Sequence, residues 1–373
     1  MTRIDWQCVR REFPSLEGRT FLNTATYGQL PRRAAEAAAG HFRRREETAC
    51  ADFLSWFDDA ERLRESIARL IHASAEDIAF FPNACSALGM VLNGIDWQPG
   101  DEILTLEHDF PNQIYAAESL KDVRGVECEW NEIEQHVSAR TRLVLVSTVD
   151  YVTGERPNLA PTLARLRDRG ILVLLDGTQS IGALEFDCRT LRPDFLVVDA
   201  YKWMISPNGA GFLYVEAGAR KWLRPNVIGW RSDRDWRNVD ALHHGAPRFS
   251  ERAERYEGGM LPFPSLYAMQ ASLELIEQLG IDAIQNRVLG LASLTKEELR
   301  RLGAQLDAPA GDYLDSQIVA ARFPGADVSA LAKQLGGKNI VVSARRGYLR
   351  VSPHFYNNDE DVGTLSKALR TIL

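Results

Sequence analysis

The sequence lacks the features that mark membrane, secreted and nucleic-acid-binding proteins. No apolar stretch reaches the roughly 18–20 residues that span a bilayer. The N-terminal segment MTRIDWQCVRREFPSL has no apolar core of the kind that a secretory signal needs. The net charge is −7, with acidic and basic residues mixed along the chain and no basic block. We therefore expect no membrane partner and no nucleic-acid partner.

Cysteine is also scarce, and its spacing is informative. The five cysteines are odd in number, and no two of them form a CxxC pair. A disulfide framework or a zinc ribbon is therefore not expected, and we predict reduced thiols, a cytoplasmic location and no metal site.

Short apolar runs without polar alternation dominate the middle of the chain. Such runs are typical of strands that are buried on both faces of a parallel sheet. They lie at residues 77–81, 102–106, 142–148, 171–176, 195–200 and 211–215. Helical patterns at 86–95 and 160–170 alternate with them, and long helical patterns follow at 265–279 and 281–302. We predict an α/β fold with a large, mostly parallel sheet domain at 15–255 and a smaller C-terminal α/β domain at 256–373, with residues 1–14 packing on the latter.

Polar residues follow several of these runs, at the strand ends where open α/β sheets bind ligands. A helix that begins at Ala84 offers free N–H groups to a phosphate. Asp176 is a buried carboxylate that requires a cation, such as a protonated pyridine nitrogen. Lys202 can form a Schiff base with an aldehyde, and Phe110 can cover an aromatic ring. Each of these residues alone is explained as often, or more often, by an ordinary structural role: a helix cap, a turn, a surface lysine or a core aromatic. Together, the phosphate site, the carboxylate, the amine and the aromatic ring predict pyridoxal 5′-phosphate as the cofactor.

Six motifs, in order along nearly the whole chain, resemble the class V group of pyridoxal-phosphate enzymes. This group includes cysteine desulfurases, kynureninase, isopenicillin-N-epimerase-like proteins and carbon–sulfur lyases. The motifs are FLNTATYGQLP (21–31), PNACSALGM (82–90), EHDFPNQIY (107–115), VLLDGTQSIGAL (173–184), DAYKWMISPNGAGFLYV (199–215) and LRVSPHFYNNDEDVGTL (349–365). The resemblance implies an aspartate-aminotransferase-like fold (fold type I) and a homodimer with shared active sites.

The resemblance also implies roles for individual residues. Lys202 is the Schiff-base lysine, Asp176 the partner of the pyridine nitrogen, and Arg350 the residue that holds the substrate carboxylate. The implied cofactor-binding residues are Ala84, Cys85, Ser86, Phe110, Asp176, Gln179, Tyr201 and Lys202. The predicted substrate-binding residues are Arg350, Thr24, Ala25, Tyr151 and Trp230.

Four positions depart from the family pattern around the phosphate. Asp199 stands where the family often has Ser or Thr, and Tyr201 stands in place of a His. Cys85 replaces the Thr of the phosphate turn, and Met260 replaces a Thr that often reaches the neighbouring subunit's phosphate. The phosphate contacts are therefore the least defined part of the predicted site.

The predicted reaction is lyase chemistry on an amino acid. The segment 337–353 contains no Cys, so persulfide-forming desulfuration is not expected. We favour β-elimination from an S-substituted cysteine, with Lys202 as the base and with an oxidative or decarboxylating variant left open. An aminotransferase, an epimerase and a kynureninase-type enzyme remain alternatives. A Rossmann oxidoreductase and a non-catalytic binding module fit less well, because no GxGxxG stands between a strand and a helix and both Lys202 and Asp176 are present.

The loop 225–255 is the least regular part of the chain. Its segment GWRSDRDW (229–236), with Trp230, is a candidate for substrate contact or subunit exchange, and a packed interface loop is an equal alternative. The pair His243 and His244 is either part of the site or on the surface.

Overall fold

A computed structural model describes residues 4–242 and 244–373. The helices of this part are α1 (Trp6–Arg10), α2 (Arg32–Thr48), α3 (Phe53–Ile71), α4 (Ala84–Gly94), α5 (Pro111–Glu118), α6 (Leu159–Asp168), α7 (Cys188–Leu191), α8 (Phe263–Leu279), α9 (Ile281–Arg301), α10 (Val328–Gly336) and α11 (Asp359–Ile372). The strands are β1 (Thr20–Phe21), β2 (Ile78–Phe81), β3 (Glu102–Leu106), β4 (Arg124–Cys128), β5 (Thr141–Ser147), β6 (Arg156–Pro157), β7 (Leu172–Asp176), β8 (Phe195–Asp199), β9 (Gly211–Val215), β10 (Tyr313–Leu314), β11 (Val319–Ala321), β12 (Ile340–Val341), β13 (Ser343–Arg345) and β14 (Tyr348–Val351).

A seven-stranded sheet forms the centre of the molecule, in the order β2-β9-β8-β7-β5-β3-β4. Strand β9 pairs antiparallel with both of its neighbours, and the other pairs in the sheet are parallel. Successive residues of β5 enter different cores, because Val144 and Val146 pack on one face and Leu143 and Leu145 on the other. The prediction of a large, mostly parallel sheet buried on both faces is therefore confirmed.

The topology brings the functional strand ends together. Strands β3, β5, β7 and β8 are neighbours and parallel, so their carboxyl ends lie at one edge of the sheet. Helix α4 follows β2 and begins at this same edge, where the backbone N–H of Ala84 reaches a side chain at the end of β8. Ligand sites in open α/β sheets form at such an edge.

The C-terminal part has a core of its own around a three-stranded antiparallel sheet, β11-β14-β13. The N-terminal residues contact this part, because Arg10 forms an ion pair with Asp361 at 2.7 Å and β1 pairs with β12. The Arg10 contact is of the kind expected of residues 1–14, whereas β1 lies in the stretch assigned to the large domain; the division of the chain and its boundaries stay a prediction. Within residues 4–242 and 244–373, no helix has the length and hydropathy needed to cross a membrane.

Candidate active site

A cavity of about 250 Å³ opens at the carboxyl edge of the sheet. It is lined by Ala84, Phe110, Asn112, Ser147, Tyr151, Asp176, Thr178, Gln179, Asp199, Tyr201 and Lys202. Seven of these residues are ones that the sequence assigned to cofactor or substrate. Residues from four of the six motifs, together with Ser147 and Tyr151, therefore meet in one cavity.

Lys202 lies in the turn after β8, and only 7% of its surface is exposed. Burial lowers the pKa of its amine to about 8, although the charges of Asp176 and Asp199 oppose this shift. The Nζ atom lies 5.3 Å from the centre of the Phe110 ring. A larger fraction of the amine is thus neutral near neutral pH, which is the form that attacks an aldehyde.

The backbone around Lys202 is closely packed and locally strained. Ile205 adopts a φ of 49°, a left-handed conformation that is rare for a β-branched residue. A Cβ atom on Gly28 would lie 1.9 Å from the carbonyl oxygen of Lys202, so the N-terminal segment contacts this turn directly. The Lys202 backbone therefore packs against the segment around Gly28, which is far away in sequence.

Asp176 is the last residue of β7, and its side chain accepts hydrogen bonds from two residues, Thr178 and Gln113. The backbone N–H of Thr178 donates at 2.8 Å, and the side-chain amide of Gln113 donates at 2.7 Å. Burial raises the pKa of Asp176, while the bonds from Thr178, the charge of Lys202 and the bond from Gln113 oppose the rise. A protonated pyridine nitrogen is a cationic donor that would stabilise this carboxylate.

A chain of buried hydrogen bonds extends from Asp176 to a second carboxyl group. Gln113 also donates to the hydroxyl of Ser147 at 3.0 Å, and that hydroxyl donates to Asp109 at 2.6 Å. Burial raises the pKa of Asp109 to about 7, against the effect of its bonds from Ser147 and Phe110. Asp109, Gln113 and Ser147 were not predicted as site residues, although the motif EHDFPNQIY contains Asp109 and Gln113.

The aromatic residues predicted at the site are adjacent. The rings of Phe110 and Tyr151 meet edge to face, with centres 5.1 Å apart and an interplanar angle of 85°. Phe110 immediately precedes α5, which begins with Pro111. The two rings therefore form an aromatic wall of the cavity.

The predicted phosphate turn carries a carboxylate of the protein itself. The side chain of Asp199 accepts the N–H of Ala84 at 3.0 Å, and Asn83 accepts the N–H of Ser86 at 2.8 Å. The side chains of Cys85 and Ser86 are exposed. Within this first turn of α4, the N–H of Cys85 has no hydrogen-bond partner among the described residues.

Arg350 is a buried cation that faces neutral acceptors. It is 1% exposed and donates to Ser343 Oγ at 3.1 Å, to Asn23 Oδ1 at 3.3 Å, to the Thr26 hydroxyl and to the Tyr151 carbonyl. Burial and the charge of Arg345 lower the pKa of Arg350 to about 10.

No carboxylate of the described residues lies within ion-pair distance of Arg350. A substrate carboxylate would supply the missing countercharge.

Thr24 and Ala25 were predicted to bind substrate, but in the structure their neighbours Asn23 and Thr26 contact Arg350. The hydroxyl of Thr24 bonds the hydroxyl of Tyr356 at 2.8 Å. The backbone of Ala25 accepts the amide of Gln179 at 3.0 Å and donates its N–H to Ser352 Oγ at 3.0 Å. Within this chain, neither the Thr24 nor the Ala25 side chain reaches the cavity lining, because both are buried against the C-terminal part.

Gln179 and Tyr201 line the cavity but have other contacts. The side-chain oxygen Oε1 of Gln179 accepts the Trp203 indole N–H at 2.8 Å, while the side-chain amide nitrogen donates to the Ala25 carbonyl. The Tyr201 ring lies 5.0 Å from the Tyr27 ring, and burial raises the pKa of the Tyr201 phenol to about 12. Tyr201 is therefore a hydrogen-bond donor near neutral pH.

Trp230 lies away from the cavity. Its ring packs against Trp236 at 5.5 Å and Phe57 at 6.1 Å, which agrees with the packed-loop alternative and gives the substrate-contact prediction no support within one chain. His244 is exposed in the same loop, and His243 lies outside the described residues. Among the residues that the structure does describe, no group of three or more metal-ligating side chains is found.

Comparison with known proteins identifies the family. The family model for aminotransferase class V matches residues 54–365. This chain is an aminotransferase class V protein. Members of this family depend on pyridoxal phosphate, which is accordingly its cofactor.

The relatives of this class V protein are named for different activities. It is 25% identical to a probable cysteine desulfurase of Methanothermobacter thermautotrophicus, over 98% of this chain and 97% of that protein. It is 27% identical to isopenicillin N epimerase of Streptomyces clavuligerus, over 99% and 98% of the two chains. A cystine C-S lyase, solved with its product cysteine persulfide, shares the fold with a TM-score of 0.86, 23% identity and coverage of 96% and 98%. The predicted fold and family are thus confirmed.

The residues present fit this cofactor, most clearly at its ring. Lys202 and Asp176 supply an amine and a carboxylate in one buried cavity, and the Phe110 ring lines it. The start of α4 supplies a free N–H at Cys85 for the phosphate, next to the carboxylate of Asp199.

Proposed function

We propose that this class V protein cleaves the carbon–sulfur bond of an S-substituted cysteine by β-elimination. One amino acid and one water give a thiol, pyruvate and ammonium, so atoms and charges balance. Bound pyridoxal phosphate supplies an electron sink for the electrons released at Cα. The oxidative or decarboxylating variant remains a second form of the same proposal.

The observation that carries the proposal is a buried amine in the cavity, together with a buried arginine that bonds the carbonyl of Tyr151, a residue of the cavity lining, and has no carboxylate partner among the described residues. Lys202, with its pKa lowered to about 8, is a base of suitable strength for the α-proton near neutral pH. Arg350 would bind the substrate carboxylate through its guanidinium group. The Lys202 ammonium formed in the first step would then donate its proton to the departing sulfur.

Transfer of sulfur to a cysteine of the protein has less support. The segment 337–353 folds as β12, β13 and β14 and contains no Cys. Elsewhere in the chain, Cys128 and Cys188 are buried. Burial raises the pKa of the Cys128 thiol to about 11 and raises the pKa of the Cys188 thiol strongly. None of the residues that line the cavity is a Cys. Sulfur would therefore leave as a free thiol.

Aminotransfer and epimerisation are the second candidates, because relatives of the chain are named for both. Epimerisation by two bases requires a second acid–base group opposite Lys202. Besides Asp176 and Asp199, the acidic groups of the cavity are phenols, and the pKa of Tyr201 is raised to about 12. This lining favours chemistry with one base, which includes both elimination and aminotransfer.

Product analysis separates these reactions. The holoenzyme is mixed with a panel of cysteine S-conjugates and cystine, and thiol and pyruvate are measured by mass spectrometry. We expect thiol (cysteine persulfide in the case of cystine) and pyruvate in equal amounts without any added keto acid. Formation of a keto acid only with an amino acceptor, and without thiol, would establish aminotransfer; inversion at Cα without bond cleavage would establish epimerisation.

We also propose a homodimer in the cytoplasm. Val227, Ile228 and Met260 lie near each other around Gly258 and are each more than half exposed, as expected of a face covered by a second copy. All five cysteines are free, which agrees with a reducing compartment. Light scattering on the purified protein should give twice the mass of the 41.8 kDa chain; a monomer would contradict the shared-site proposal.

A further inference from the structure

Asp199 occupies the place where the phosphate turn should receive an anion. It is the last residue of β8, it is buried, and its Oδ1 accepts the Ala84 N–H that opens α4. Its own backbone N–H donates to the Thr178 hydroxyl at 3.0 Å, which holds it at the strand end. The positive end of the α4 dipole is thus already paired with a negative group.

A bound phosphate needs the same region of the protein. Asn83 accepts the N–H of Ser86, and Asp199 accepts the N–H of Ala84. In the first turn of α4, the N–H of Cys85 therefore remains for the phosphate. Two anions side by side in a buried cavity repel each other strongly, and one of them then holds a proton. No hydroxyl of Ser or Thr stands at positions 85, 199 or 260 to separate them.

We propose that the Asp199 carboxyl group and the cofactor phosphate share one proton, so that binding of pyridoxal phosphate takes up a proton from solution. The carboxyl group then donates a hydrogen bond to the phosphate, in the role of a neutral donor. This inference concerns the cofactor alone and does not depend on which amino acid is the substrate.

The surroundings of Asp199 favour the protonated form. Burial raises its pKa to about 6; the nearby Asp176 acts in the same direction, and the bond from Ala84 and the charge of Lys202 oppose it. The Tyr201 phenol is neutral near neutral pH. The first turn of α4 contributes no charged side chain, and β9 pairs Asp199 with Gly211. A phosphate, whose second pKa is about 6, adds further negative charge and raises the carboxyl pKa again.

The consequence is a specific pH dependence of cofactor affinity. Above about pH 7 both the free carboxyl group and the free phosphate are ionised, so the shared proton must be taken from solution. Each further pH unit should then weaken binding about tenfold relative to a protein without this carboxyl group. Below pH 6 the proton is already present, and the difference should vanish.

The test compares the wild type with Asp199→Asn, stripped of cofactor and titrated with pyridoxal phosphate by absorbance at pH 6, 7 and 8. The amide keeps an acceptor for the Ala84 N–H and adds a donor without charge. We expect Asp199→Asn to bind at least tenfold more tightly at pH 8 and about equally at pH 6. An affinity ratio that stays the same across this pH range would overturn the proposal.

A second measurement needs only the wild type. Calorimetry in two buffers of different ionisation enthalpy gives the protons taken up per cofactor at pH 8, and pyridoxal serves as the phosphate-free control ligand. We expect close to one more proton with pyridoxal phosphate than with pyridoxal; equal uptake would overturn the proposal. Absence of cofactor binding at every pH would overturn it together with the cofactor itself, whereas failure of the lyase reaction alone leaves both readouts unaffected.

Discussion

Gln113 donates a hydrogen bond from its side-chain amide to Asp176 at 2.7 Å, and the same amide nitrogen donates to Ser147 at 3.0 Å. The amide oxygen of Gln113 is buried and has no hydrogen-bond partner among the described residues. Gln113 thus orients the carboxylate that we assign to the pyridine nitrogen, and it connects this group to Asp109. Through this hydrogen bond, Gln113 affects the protonation of Asp176 without itself contacting the substrate.

The substitution Gln113→Leu should weaken cofactor binding. A hydrogen bond to a charged group contributes about 1.5–3 kcal/mol, so the dissociation constant of pyridoxal phosphate should rise roughly 10- to 150-fold. Fluorescence titration of the cofactor-free protein measures this. Gln285→Leu is the control. The Gln285 side chain donates to the Glu185 carboxylate and accepts the Glu185 backbone N–H, away from the cavity. Unchanged affinity in Gln113→Leu would show that Asp176 does not need this partner.

Gly28→Ala should displace Lys202. The added Cβ would lie 1.9 Å from the Lys202 carbonyl oxygen and 3.1 Å from that of Tyr201, so one of the two segments must shift. We expect at least a tenfold loss of turnover, with the protein still folded by circular dichroism. Gly290→Ala in α9 meets no atom within 4 Å and should keep full activity. Full activity of Gly28→Ala would contradict the close packing at Lys202.

Arg350→Met should weaken substrate binding more than it weakens cofactor binding. The guanidinium group is buried on neutral acceptors, so its loss removes the proposed partner of the substrate carboxylate. We expect KM to rise about 100-fold or more, in line with the loss of a charge-assisted pair of about 3 kcal/mol. Arg346→Met, at an exposed position nearby, is the matched control. An unchanged KM together with an unchanged kcat would remove Arg350 from the site.

Lys202→Met should stabilise the cofactor-free protein near neutral pH. The Lys202 pKa is lowered from its usual 10.5 to about 8, so the unfolded chain binds more protons between these values and wild-type stability increases with pH across that window. At pH 7 the variant should unfold with a free energy up to about 3 kcal/mol higher, and the difference should shrink toward pH 10.5. Urea titration measures this, with the exposed Lys221→Met as control. A less stable Lys202→Met at pH 7 would contradict a buried amine with a lowered pKa.

The strand ends explain how much of the site was predictable. Asp176, Phe110 and Lys202 each follow an apolar run, and parallel pairing of those runs brings them to one edge, as the sequence indicated. Gln113 was missed because it lies one turn into α5, and its direction depends on how that helix packs.

Non-local packing explains the remaining differences. Thr24 was placed at the site by its motif, but its hydroxyl bonds Tyr356, which is 332 residues further along the chain. Trp230 was a candidate because it stands in an irregular loop, whereas its half-buried ring packs in an aromatic cluster with Phe57 and Trp236. Neither contact follows from local sequence pattern.

Reduction with borohydride followed by peptide mass spectrometry tests the central claim most directly. The purified holoenzyme should absorb in the visible range, lose that absorbance on reduction, and carry the reduced cofactor on the peptide that contains Lys202. Lys202→Ala should carry none, whereas Lys221→Ala should be labelled like the wild type. A cofactor fixed to another lysine, or a protein that retains no pyridoxal phosphate, would contradict the account.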